Sequence, residues 1–177
     1  MSETRGPAAL ATGLPGRPGC ILAVVGLLLG VAGDAFLLGD SPSRFRAGLA
    51  AFLLGHVAYV LACWRGGLHP SGWLVPAGVV LVACLWSSRD VVPAVRRAEG
   101  WAGAGPVLCY MAVSALVIAA TAATGLAIVA IGGMLFVVSD TALAVDRFVR
   151  PLQHGHLLVM VPYLLAQAFI VGGLALR

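Results

Sequence analysis

Six stretches of almost purely apolar residues run along this chain, and they restrict it to one architecture. A bilayer's hydrocarbon core takes a helix of about 17 to 25 residues. Runs of that order fall at 20–38, 45–64, 72–86 (short), 106–123, 125–145 and 156–176. No water is available at that depth, so each segment must satisfy its backbone N–H and C=O groups internally, which helices do. Composition agrees: 60% of the 177 residues are hydrophobic, 10% are charged, and the mean hydropathy is +1.00. A soluble domain carries far more polar surface. The expected fold is therefore all-α, a polytopic transmembrane bundle of about six spans over 20–177, preceded by a Gly/Pro-rich polar tail over 1–19. The first run is too long for a signal peptide, and cleavage near "AGDA" would discard Asp34, so it reads as a retained span.

The 11 cations are all arginine and are scattered, giving a net charge of +4. That pattern does not point to nucleic acid. Arg44, Arg46, Arg89, Arg96, Arg97, Arg147 and Arg150 follow the first, third and fifth runs, against Arg5, Arg17, Arg65 and Arg177 on the other side. The positive-inside rule then places the first group of loops in the cytoplasm of a cell (plasma or inner) membrane, with both termini outside. Cys20, Cys63, Cys84 and Cys109 show no disulfide or zinc spacing and read as small hydrophobes. "HGH" at 154–156 offers two histidines without a third ligand nearby, so no metal and no cofactor is expected.

Two acids interrupt the apolar runs. Asp140 sits within "MLFVVSDTALAVDRF" (134–148) and Asp34 within "GDAFLL" (33–38). Intramembrane carboxylates are expensive and usually face a bundle interior or a wet cavity. Both lie within roughly 6–9 Å of the cytoplasmic end of their runs, at about 1.5 Å per residue. Asp34 shares a helical face with Gly26 and Gly30, a seam on which another helix approaches closely, and Asp140 shares one with Gly133 and Phe136. Phe45, Gly48, Phe52, His56 and Tyr59 form a stripe on the second run. Tyr163 and Gln167 stand one turn apart just after Pro162, which should kink its helix and free a carbonyl. Tyr110 opens the fourth run. Ser139 points about 100° away from Asp140, so a Ser/His/Asp triad is disfavoured, and no GxSxG is present. "GDAFLL" and "SDTALA" (139–144) form a faint internal echo, compatible with a parallel repeat.

With "FRAGLAAFLLGHVAY" (45–59), "PVLCYM" (106–111) and "YLLAQAFIVGG" (163–173), these segments resemble, in order and over most of 30–173, the YhhN-like family that includes the lysoplasmalogenases. The resemblance implies seven or eight spans, with a Lys-Pro-containing helix before the Gly-Asp helix. Here "RGPAALATGLPGRP" (5–18) departs from that pattern, and the expectation is a missing or degenerate first helix or a start set too late. It also implies hydrolysis of the vinyl ether bond of lysoplasmalogens to a fatty aldehyde and glycerophosphocholine or glycerophosphoethanolamine, with Asp34 and Asp140 catalytic and a lysophospholipid as partner.

The chemistry suits two carboxylates. A proton goes to the β-carbon and water adds to an oxocarbenium ion, as in glycoside hydrolysis. One aspartate must hold its proton as general acid while the other stays ionised. His56, Tyr59, Tyr110, Tyr163 and Gln167 are candidates for positioning substrate or water, and Arg44, Arg46, Arg147 and Arg150 for the headgroup phosphate. Paired carboxylates and a histidine also serve proton-coupled carriers, so a small transporter stands as an alternative, and a non-catalytic membrane protein as a third.

Overall fold

The computed structural model describes residues 18–39 and 41–176. The tail expected over 1–19 lies outside them, apart from Pro18 and Gly19, which open the first helix. Six α-helices and no strand are found among the described residues: α1 (Pro18–Leu37), α2 (Pro42–Arg65), α3 (Leu74–Ser87), α4 (Val91–Ala123), α5 (Ala127–Phe148) and α6 (Gly155–Ala175). Five are long and apolar enough to cross a membrane. The sixth expected span, α3, has 14 residues, or about 21 Å at 1.5 Å per residue, short of a hydrocarbon core of about 30 Å.

The fourth helix starts at Val91, well before the expected position near 106. The stretch carrying Arg96 and Arg97 is helical because Val91 and Val95, one turn apart, are both buried. Gly100 (φ 67°, ψ −160°) then breaks the helix before it continues to Ala123.

Helices α1 and α2 pack as one antiparallel hairpin, α5 and α6 as another. α4 lies against α5 and α2, α3 rests outside on α4 and α5, and α1 closes onto α6. Absent side chains permit the closest approach: a Cβ on Gly33 would meet the Phe52 ring, and one on Gly26 the Tyr59 ring. The seam read from Gly26 and Gly30 therefore faces protein. Arg44, at the start of α2, donates from Nη2 to the Ala35 carbonyl (2.9 Å) and from Nε to that of Phe36 (3.3 Å), closing the end of α1.

The tight hairpin expected at Thr124-Gly125 is present. Gly125 takes φ 74°, and the α2–α3 loop seals the turn: Ser71 Oγ donates to the Ala122 carbonyl (2.7 Å) and His69 N to that of Ala123 (2.9 Å). A Cβ at 125 would also lie 2.6 Å from His69 Nε2. Left-handed backbone costs an L-residue roughly 1–2 kcal/mol. Gly125→Val should therefore lower the apparent Tm in detergent, with Gly125→Asn in between, since asparagine tolerates this region. Equal Tm values for all three proteins would show that the turn does not require its glycine.

Buried polar groups are paired throughout. Among the described residues no buried side-chain nitrogen or oxygen lacks a hydrogen-bond partner, as an apolar interior demands. Ser139 illustrates this on α5: its Oγ donates to the Val159 carbonyl of α6 (2.8 Å), one residue beyond the Leu158 carbonyl that Pro162 cannot serve.

Candidate active site

Asp140 on α5 collects donors from two other helices. His56 Nε2 of α2 lies 2.9 Å from Oδ2, Ser114 of α4 donates to the same oxygen (2.7 Å), and Tyr110 of α4 donates to Oδ1 (2.9 Å). His56 is 1% exposed and Asp140 is 13% exposed. The second imidazole nitrogen settles the proton count. His56 Nδ1 is 2.7 Å from the Phe52 carbonyl one turn earlier; a carbonyl only accepts, so Nδ1 carries a hydrogen. One further proton then lies between Nε2 and Asp140 Oδ2. It makes either an imidazolium facing a carboxylate or a neutral imidazole facing a carboxylic acid. Edge-on contacts from Phe136 (4.6 Å between centroids) and Tyr110 (5.2 Å) hold the imidazole plane.

Asp34 has a different environment. Tyr163 of α6 donates to its Oδ2 (3.0 Å), and the Tyr163 ring packs edge-on against Phe52 (5.7 Å) and Phe136 (5.8 Å). Tyr59 donates to Gln167 Oε1 (2.5 Å), and Gly30 leaves the room in which the Tyr163 hydroxyl and the Gln167 amide sit together. The expected site residues thus fall into two partner sets, Asp140–His56–Tyr110 and Asp34–Tyr163, with Tyr59–Gln167 beside the second and the Phe136 ring touching both His56 and Tyr163. Each aspartate is bonded by the opposite hairpin, Asp34 of α1 by α6 and Asp140 of α5 by α2. Measured from the helix ends, Asp140 is the deeper. It stands eight residues before Phe148, about 12 Å, whereas Asp34 stands three before Leu37, about 4.5 Å.

A narrow cavity of about 60 Å³ ends on Asp140, Tyr110 and Ser114. Its walls are apolar, including Leu49, Leu81, Met111 and Val137, and its outer end carries Phe45, Arg147 and Phe148. Asp34 is not among its lining residues. The pattern of an intramembrane acid–histidine pair at the end of an apolar slot coincides with a match at the level of the whole chain: the model of the YhhN family covers residues 7–174. The chain belongs to the YhhN family.

Named relatives of this YhhN-family chain are lysoplasmalogenases. It is 31% identical to lysoplasmalogenase TMEM86B of Homo sapiens over 147 residues, 81% of this chain and 59% of that protein. It is 30% identical to lysoplasmalogenase TMEM86A of Bos taurus over 169 residues, 87% and 65% respectively. TMEM86B of Sus scrofa is 34% identical over 147 residues. The chain therefore spans only 59% to 65% of the length of these relatives. No solved structure matches it.

The four arginines expected at a headgroup separate in this YhhN fold. Arg147 lines the outer end of the slot, its guanidinium 4.7 Å from the centre of the Phe45 ring. Arg44 is engaged with the end of α1, Arg46 donates to the Pro42 carbonyl of its own helix (3.4 Å), and Arg150 lines a separate crevice. Ser114 is the site residue that sequence reading missed. Its signal was its position one turn after Tyr110. Ser139 stays out of the Asp140 network, bonded to α6. Among the described residues no three His, Cys, Asp or Glu side chains converge as a metal site.

Proposed function

We propose that this chain is a membrane hydrolase that cleaves the vinyl ether bond of lysoplasmalogens, releasing a fatty aldehyde and a glycerophospho-base. The observation that carries the reading is the Asp140–His56 pair, which holds one transferable proton at the end of an apolar slot. The activity in the relatives' names supports it.

Asp140, as the carboxylic acid of the pair, gives its proton to the β-carbon of the alkenyl chain. The double-bond electrons form the new C–H bond and leave an oxocarbenium ion at C1. The carboxylate left behind faces that cation and is held in place by Tyr110 and Ser114, as fixed donors and charges are in a water-poor site. Water then adds to C1 and returns a proton to the Asp140–His56 pair. Collapse of the hemiacetal moves its hydroxyl proton to the glycerol oxygen as the C–O bond breaks. One acid/base pair closes the proton balance. Asp34, behind Phe136 and bonded to Tyr163, acts as a positioning residue: through Tyr163 it fixes the aromatic wall on which His56 rests.

A lysolipid fits with its phosphate at Arg147 and its vinyl ether at Asp140, its alkenyl chain running on past the carboxylate between apolar side chains of the wall. These positions are seven residues apart on α5, about 10 Å along the helix. The slot's free volume suits a few waters, at roughly 10–15 Å³ each, so the chain enters by displacing flexible apolar side chains. Arg147→Gln should raise KM roughly tenfold, the loss of one solvent-exposed charge-assisted contact, with kcat within about twofold and Arg147→Lys intermediate. A fall in kcat at unchanged KM would remove Arg147 from the headgroup. The arginine-rich end also carries the slot mouth, and by the positive-inside rule it belongs on the cytoplasmic face of the cell membrane.

The test is aldehyde release by the purified, folded protein from lysoplasmenylethanolamine and lysoplasmenylcholine. Release from either supports the reading, and no release from both ends it.

A further inference from the structure

Hydrolysis in this slot has a supply problem. Once a lysolipid chain fills it and the headgroup covers Arg147, the mouth is closed, yet a water must still reach C1. A second, far roomier space lies behind the slot wall, between the end of α3 and the end of α5. It is an open crevice of about 610 Å³, against about 60 Å³ for the slot. Arg89, Asp90 and Arg150 line it. Arg89 and Asp90 follow the end of α3 and Arg150 the end of α5, where the bundle meets water. Arg89 pairs loosely with Asp90 (3.9 Å), and their exposed charges keep the space hydrated.

Cys84 of α3 and Thr141 of α5 line both spaces. The partition is thus a single layer of side chains, and Thr141 follows the reacting carboxylate directly in the chain. We propose that this crevice is the water port of the site, admitting the hydrolytic water past Cys84 and Thr141 while the slot itself is occupied by lipid. The proposal rests on the hydrolase reading above and adds to it a separate route for the second substrate.

Cys84 supplies the probe. In a Cys20→Ala/Cys63→Ala/Cys109→Ala protein, a membrane-impermeant cationic methanethiosulfonate should label Cys84, read as a mass shift. It should do so even with the slot saturated by a non-hydrolysable alkyl lysophosphatidylcholine. The labelled protein should lose kcat at least tenfold with KM within about twofold, because the plug lies behind the substrate. Cys84→Trp should reproduce this. A turning-over protein whose Cys84 stays unlabelled overturns the port. So does labelling that leaves kcat intact, or labelling that the lysolipid blocks, since access would then run through the slot. Absence of aldehyde from the unlabelled protein is a different result: it removes the hydrolase reading itself.

Discussion

Asp140→Asn should lower aldehyde release by about 10²–10⁴-fold, the usual contribution of a positioned general acid, while the bundle remains folded. The second half of that expectation follows from the hydrogen-bond inventory. The asparagine Oδ1 still accepts from Tyr110. Its Nδ2 has two hydrogens, one for His56 Nε2, which is free to accept because Nδ1–H is committed to the Phe52 carbonyl, and one for the Ser114 oxygen. Every partner is kept and only the transferable proton is lost. Asp140→Ala, by contrast, strands three polar partners, His56, Tyr110 and Ser114, in a largely buried place and should destabilise the protein as well. Asp34→Asn keeps its Tyr163 bond through the amide oxygen. Because Asp34 does not line the slot, it should lower release by roughly tenfold or less, below the range that a general acid or base contributes. Equal losses at Asp34 and Asp140, with matched melting curves, would make both carboxylates reacting groups and return the mechanism to two acids around one cation.

The two aspartates and His56 were legible in the sequence because a charge or an imidazole inside a lipid-length apolar run has few explanations. The spans were legible for the same reason of length, and the shortness of α3 was visible in its 72–86 run. The helix opening at Val91 was not. Pro93, Arg96, Arg97 and Gly100 within ten residues read as a loop, and only burial of Val91 and Val95 against α5 makes that turn amphipathic in effect. Ser114 was hidden because hydroxyls in apolar helices commonly bond back to their own backbone, as Thr121 does on the same helix. Which arginine meets the slot was also beyond sequence: four long side chains share one end of the bundle, and packing on the Phe45 ring, not spacing, singles out Arg147. The pairing of each aspartate across hairpins, in place of a shared carboxylate pair, is a tertiary fact that no local pattern encodes.

The register that joins Ser114 to Asp140 is set one heptad away, and Gly133→Ala should expose it with a stability loss of about 2–3 kcal/mol. A Cβ at 133 would fall on Thr121 Oγ1 of α4. Thr121 cannot yield. It is fully buried, β-branched, and its hydroxyl donates to the Val117 carbonyl (2.8 Å) and that of Ile118 (3.1 Å). The helices themselves must therefore part. Residues 133 and 140 share a face of α5, as 121 and 114 share one of α4, so the same displacement lengthens the 2.7 Å Ser114–Asp140 bond and lowers turnover along with Tm. The double variant identifies the cause. In a Thr121→Gly background the new methyl meets neither the hydroxyl nor the Cβ of residue 121, and adding Gly133→Ala should change the apparent Tm little, even raising it through alanine's better helix propensity. If Gly133→Ala is harmless in the wild-type background, α4 and α5 are not held as close as this seam requires, and the Ser114 contact with Asp140 loses its structural basis.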